Sequence, residues 1–86
     1  MQSGLNWACE YGRAGVVEFL LENGADPAVQ DDRGRTALMI AASLGDAATV
    51  DFLLKCGADR SLKDKDRKSA LDLAANADVR LKLMAK

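Results

Sequence analysis

The chain has 86 residues, of which 49% are hydrophobic, 29% charged and 5% aromatic, with a formal net charge of −1 and no histidine. That length bounds it to one small domain, and no apolar run approaches the roughly 20 residues of a membrane span. A slightly acidic balance with few aromatics also argues against broad binding to nucleic acid.

Leu5, Trp7, Ala8 and Cys9 open a short predicted helix that stops near Gly12. Val17, Leu20 and Leu21 then recur at helical spacing up to Gly24. A polar stretch without helical period follows, through Arg35. Thr36 can cap the next helix by accepting a free first-turn amide. Leu38, Ile40, Ala41, Ala42 and Leu44 fill that helix, and its small residues allow a neighbour to approach closely. Gly45 suits a left-handed stop. Asp46 can cap a fourth segment, with Val50, Leu53 and Leu54 inward and Asp51 and Lys55 outward. Gly57 ends it, and a second polar stretch runs to Lys68. The final helix arrives early in the pattern. Asp78 is its expected cap, Val79, Leu83 and Met84 its packing residues, and Arg80, Lys82 and Lys86 its solvated face.

The same phrase is written twice. Residues 5–42 and 38–75, compared at a shift of 33, are identical at 16 of 38 positions. Similarity at that period predicts a solenoid of stacked units. Charge is graded along it. Residues 1–32 carry six acids and one base (−5), residues 33–59 three of each (0), and residues 60–86 eight bases and four acids (+4).

The unit Asp31-Asp32-Arg33-Gly34-Arg35-Thr36-Ala37-Leu38, a helix-joining Gly45, then Val50, Leu53-Leu54 and Gly57-Ala58-Asp59, resembles the ankyrin repeat. The resemblance covers essentially the whole chain. It implies an all-α solenoid of about two and a half stacked helix pairs joined by turn-like fingers. The implied division is a partial repeat over 1–30, a complete one over 31–63 and a capping one over 64–86. Several residues depart from the family pattern. Ala37-Leu38-Met39 and Ala70-Leu71-Asp72 stand where the family usually has Pro-Leu-His, and Arg67 stands where the second unit has Gly34. If that position needs positive φ, Arg is strained there and the third finger should be looser. Trp7 aligns with Ile40 and Leu5 with Leu38. Trp7 is therefore expected to pack down onto the second unit, the alternative being an end face that meets an upstream segment or a partner.

No pattern for catalysis is present. The sequence lacks a Ser–His or Cys–His pair, a phosphate-cradling glycine loop and a metal-ligand spacing. Asp31-Asp32 reads as part of a solvated turn. Cys9 and Cys56 read as reduced thiols. No secretory signal or transit peptide is visible, so the expected compartment is intracellular and reducing, cytoplasmic or nuclear, with an organelle left open for a processed or excised piece. The expected role is a binding module without catalytic, metal or cofactor sites.

The resemblance implies that partners lie in the groove between fingers and inner helices. Its finger positions are Gln30, Asp32, Arg33 and Arg35, then Lys63, Lys65, Asp66 and Lys68. Its inner-helix ends are Glu10 with Tyr11 and Ser43 with Leu44. Tyr11 and Leu44, one repeat apart, should sit side by side at about 10 Å, with the nearby bases orienting a protein or peptide that carries acidic groups. The chain is expected to be a monomer, with weak self-association left open. The alternatives are an end-piece of a longer repeat array that self-associates through its N-terminal end, an acidic-to-basic head-to-tail self-associating unit, and nucleic-acid binding by residues 60–68.

Overall fold

The computed structural model describes residues 4–84, which form six helices and no strand. These are α1 (Gly4–Glu10), α2 (Ala14–Glu22), α3 (Ala37–Leu44), α4 (Ala47–Lys55), α5 (Ala70–Leu73) and α6 (Ala77–Met84). The predicted Lys86 position lies outside the described residues. Each odd-numbered helix turns back into the even one that follows, giving three helix hairpins. α3 packs on both α1 and α5, and α4 packs on α2 and α6, so the hairpins stack as a solenoid.

The local signals act as their chemistry requires. Thr36 Oγ1 accepts the Met39 amide at 3.3 Å. Asp46 accepts the Thr49 amide at 3.2 Å through one oxygen and the Thr49 hydroxyl at 2.6 Å through the other. Ser69 and Asp72 form a reciprocal capping box at the start of α5. The predicted cap of α6 is corrected: Asn76 Oδ1, not Asp78, accepts the Val79 amide at 2.9 Å. Asp78 stands inside the first turn of α6, where its charge still favours the helix. Met84 is also corrected. It is exposed, while Val79 and Leu83 are buried. The third unit absorbs its missing length in the inner helix, since α5 has 4 residues where α3 has 8.

The core centres on α3. Ala37, Leu38, Met39, Ile40, Ala41 and Ala42 are all at most 1% exposed, and Leu5, Val17, Val50, Leu53 and Val79 close around them. Six consecutive buried residues mean that α3 is covered on every side. Ala41 and Ala42 make that possible, because a larger side chain would hold the flanking helices apart.

Each finger is a turn built on one aspartate. Asp31 Oδ1 accepts the amides of Arg33 and Arg35 at 2.9 and 2.8 Å. Asp64 Oδ1 does the same for Asp66 and Lys68 at 2.8 and 2.9 Å. The third finger therefore repeats the aspartate-to-amide hydrogen bonds of the second, although Arg67 stands at positive φ in its turn. The fingers are tied to each other. The Lys65 amide donates to the Arg33 carbonyl at 3.0 Å, and Gln30 Nε2 donates to the Gly34 and Lys63 carbonyls at 2.8 and 3.1 Å.

Gly34 and Arg67 occupy equivalent turn positions and both have positive φ, at 77° and 63°. Their surroundings differ. A Cβ on Gly34 would stand 2.9 Å from the Lys65 amide nitrogen, because the third finger closes against it. Arg67 lies on the third finger, beyond which no further finger follows among the described residues. Its side chain is exposed and only the backbone is strained.

We expect substitutions at these two positions to have opposite signs. Gly34→Ala should cost about 2 kcal/mol, combining left-handed strain with the backbone contact. Arg67→Gly should gain up to about 1 kcal/mol, the relieved strain being partly offset by the freer unfolded chain. At roughly 4–8 °C per kcal/mol for a domain of this size, thermal denaturation followed by circular dichroism resolves both.

Candidate protein-binding groove

The finger of the second unit stands beside the C-terminal end of α1. Glu10, Asp31, Asp32, Arg33 and Arg35 line a polar cleft of about 190 Å³ between them. Arg35 spans it: Nε donates to Asp31 Oδ2 at 2.9 Å, and Nη2 lies 3.9 Å from Glu10 Oε1. Four of the sequence-predicted positions, Glu10, Asp32, Arg33 and Arg35, therefore meet at one place. Arg35 is largely engaged within the fold, while the Arg33 side chain points outward from an exposed residue.

The two carboxylates of the second finger have separate roles. Asp32 is exposed, but the Asp31 side chain is only 6% exposed, which corrects its reading as solvated. Burial pushes the Asp31 carboxyl up. Hydrogen bonds from the amides of Arg35 and Arg33, with the Arg35 guanidinium, outweigh that and hold it below the usual carboxylate range.

The apolar groove residues are open to solvent. Tyr11 is 62% exposed and Leu44 is 54% exposed, so neither is withdrawn against its neighbouring helix. Ser43 is exposed, although its hydroxyl donates back to the Ile40 carbonyl at 2.9 Å. Lys63, Lys65, Asp66 and Lys68 are exposed on the third finger. Gln30 is exposed too, but its amide is occupied in joining the fingers.

Of the two readings of Trp7, the packed-down one is corrected. The side chain is 49% exposed rather than packed down, and its ring centroid lies 5.1 Å from that of Tyr11 at an interplanar angle of 44°. The spacing Trp7–Tyr11 is i, i+4, which places both on one helix face and could have signalled the pair. Asn6 takes the buried place beside it, and its Nδ2 donates to the Val29 and Arg35 carbonyls at 3.3 and 3.1 Å.

The chemistry of the thiols is equally local. Cys9 is buried and Cys56 exposed. Burial first, and the Asp46 charge second, push the Cys9 thiol up to about 12, which leaves it protonated and a poor nucleophile. Among the described residues no group of three or more Cys, Asp or Glu side chains is placed to hold a metal ion, and no helix is long and apolar enough to cross a membrane.

Comparison with known proteins adds a family. The family described as ankyrin repeats (3 copies) matches residues 5–85. Over 39 residues the chain is 49% identical to ankyrin repeat family A protein 2 of Homo sapiens, and equally to that of Mus musculus. That match covers 45% of this chain and 12% of each relative. It is 46% identical over 37 residues to palmitoyltransferase AKR1 of Lachancea kluyveri, covering 43% of this chain and 5% of that enzyme. The chain thus matches a small fraction of the length of these relatives.

Two measurements check the site. Asp31→Asn should destabilise the fold by about 1–2 kcal/mol at neutral pH, the scale of hydrogen bonds to a charged group. Because the folded pKa lies below the unfolded value of about 3.9, the carboxylate contributes above that pH. Its contribution is lost as pH falls through the folded pKa, so the difference between wild type and variant in urea unfolding should close on acidification. A disulfide-exchange reagent should label Cys56 rapidly in the native protein and Cys9 only after denaturation.

Proposed function

The chain belongs to the ankyrin repeat family, whose repeats are generally protein–protein interaction modules, and from this we propose that it is a non-catalytic module that holds a partner protein or peptide on its concave face. The observation that supports this reading is the exposure of Tyr11 and Leu44, which stand at equivalent positions of successive units. Exposed tyrosine and aliphatic side chains on successive units suit the centre of an interface.

The mechanism is rigid presentation. Asp31 and Asp64 hold the turns, and the Lys65–Arg33 and Gln30–Lys63 bonds hold the fingers to one another. Little ordering entropy is then lost when a partner binds. Tyr11 and Leu44 act as apolar anchors. Arg33, Lys65 and Lys68 orient acidic groups of the partner, and Arg35 contributes mainly by shaping the cleft. Glu10, Asp32, Asp66, Gln30, Ser43 and Lys63 complete the rim and set which charges are admitted.

Nucleic acid fits less well. The segment 60–68 has five bases and two acids, and Arg60 Nη1 is spent on the Leu83 carbonyl at 2.6 Å. The likeness to a palmitoyltransferase spans 37 residues, 5% of that enzyme. We carry no transferase chemistry to this chain.

An affinity pull-down read by mass spectrometry tests the reading. One bait is the chain itself and the other carries Tyr11→Glu and Leu44→Glu, both first shown to have the same circular dichroism spectrum. Anchors of this kind contribute about 2 kcal/mol each, so the recovery of true partners should fall more than tenfold. Equal recovery by both baits would remove these residues from the site.

A further inference from the structure

The second and third fingers are built alike and equipped differently. Asp31 and Asp64 each accept two turn amides, and the backbone bonds Asp31–Arg35 and Asp64–Lys68 match at 2.9 and 3.0 Å. In the second finger the fold itself supplies carboxylates to the base at its end. Arg35 Nε donates to Asp31 Oδ2 at 2.9 Å, and its Nη2 lies 3.9 Å from Glu10 Oε1 on α1. The counterparts 33 positions on are Ser43 for Glu10, Asp64 for Asp31, Lys65 for Asp32, Asp66 for Arg33 and Lys68 for Arg35. The base is kept, while a serine stands for Glu10 and a lysine for Asp32. Ser43 turns its hydroxyl back to the Ile40 carbonyl at 2.9 Å. Among the described residues neither Lys65 nor Lys68 forms an ion pair. This place lies between the second and third units, within the stack.

The acids near these lysines are occupied or exposed. Asp64 Oδ1 takes the amides of Asp66 and Lys68. Asp72 Oδ2 takes the Ser69 amide and hydroxyl at 3.0 and 3.1 Å. Those hydrogen bonds, with the charges of Lys63 and Lys68 behind them, hold the Asp72 carboxyl below the usual carboxylate range, so the fields of both lysines reach one place. Asp66 is exposed in the turn, as Arg33 is one unit earlier. Lys63, Lys65, Arg67 and Lys68 outnumber these three acids by one. At the cleft beside α1 the excess has the other sign, with Glu10, Asp31 and Asp32 against Arg33 and Arg35.

We propose that the partner supplies the carboxylate which Glu10 supplies one unit earlier. A segment of the bound protein or peptide sets an Asp or Glu side chain beside Ser43, against the Lys65 and Lys68 ammonium groups and next to its apolar contact at Leu44. This rests on the groove reading above and narrows it to a partner with an acidic residue adjoining an apolar one. Lysine carries a compact charge on a flexible stem, so it can follow a carboxylate on either length of side chain. The same carboxylate at the first cleft would meet Glu10 and Asp32. Charge therefore fixes which end of the groove the acidic residue takes, and with it the direction of the bound segment.

Selection from a synthetic, bead-bound library of short blocked peptides, random at every position, tests this on the folded 86-residue chain. The selected peptides should be enriched in Asp and Glu at least about twofold over the library, the scale of an exposed ion pair. Ser43→Glu supplies the carboxylate from within the fold and should abolish that enrichment. Ser43→Gln has the same bulk without the charge and should keep it. Lys65→Ser with Lys68→Ser should abolish it as well. All three residues are exposed, and circular dichroism confirms that each variant is folded before use. A wild-type selection without acid enrichment overturns the proposal, and so does one that returns nothing above bare beads or an enrichment that Ser43→Glu retains. Tyr11→Ser with Leu44→Ser separates this site from the groove reading. If that variant loses the apolar residues of the selected peptides while the wild type shows no preference for acids, the groove stands and the carboxylate site falls. If it selects the same acidic peptides as the wild type, the carboxylate site stands and the apolar anchors fall.

Discussion

The rest of the structure depends on the burial of α3 between two neighbours. A helix with six consecutive buried residues cannot exist alone in water, since no face is left to carry polar groups. It requires α1 on one side, α5 on the other and α4 beneath. The small side chains of Ala41 and Ala42 set how closely the hairpins stack. That spacing in turn brings the fingers within backbone hydrogen-bond reach, so that the Lys65 amide meets the Arg33 carbonyl. The interior of one helix thus fixes the spacing of a surface built from residues outside it.

On that surface, adjacent residues of the same type do different jobs. Asp31 and Asp32 are both aspartates on one turn. Asp31 turns inward and satisfies two amides and a guanidinium, while Asp32 remains exposed at the rim of the cleft. Arg33 and Arg35 divide in the same way. Arg35 is drawn into the fold by Asp31, and Arg33 gives its carbonyl to the next finger and leaves its side chain outside. Both arginine amides point at the Asp31 carboxylate, but only the Arg35 side chain reaches it, so the Arg33 side chain is left exposed. Rigidity and recognition are therefore interleaved along the chain.

Most of the fold was legible because the repeat states each rule twice. Thr36 and Asp46 as caps, and Gly45 as a left-handed stop at φ 74°, follow from residue chemistry. The misreadings fall where the repeat is broken. Asn76 rather than Asp78 caps α6 because its Nδ2 also donates to the Gly45 carbonyl at 3.3 Å, a tertiary contact invisible in local sequence. A Cβ on Gly45 would stand 2.7 Å from that nitrogen, so the glycine and the asparagine fit as a pair. Met84 was expected inside because it is apolar and close to Leu83, but Val79 and Leu83 already use the face of α6 that meets the core. In the candidate groove, residue types and positions were legible. The partition of Asp31 from Asp32 was not, since it depends on which side of a turn each carboxylate faces.

A repeated sequence does not impose a repeated environment, and the differences report where each unit stands in the stack. Gly34 must remain small because the third finger closes on it, whereas Arg67 at the same turn position carries only its own backbone strain. Ile40 is sealed, whereas Trp7 at the same helix position is half open. In both pairs the intrinsic conformation is shared and the neighbour differs. The neighbour then decides which residues the position tolerates. An internal unit has both of its stacking faces closed and varies freely only along the groove. Among the described residues the α1–α2 hairpin is packed on one side alone, and its Trp7, Val16 and Phe19 are exposed. Trp7 is in ring contact with Tyr11, so the exposed side of α1 adjoins the candidate groove.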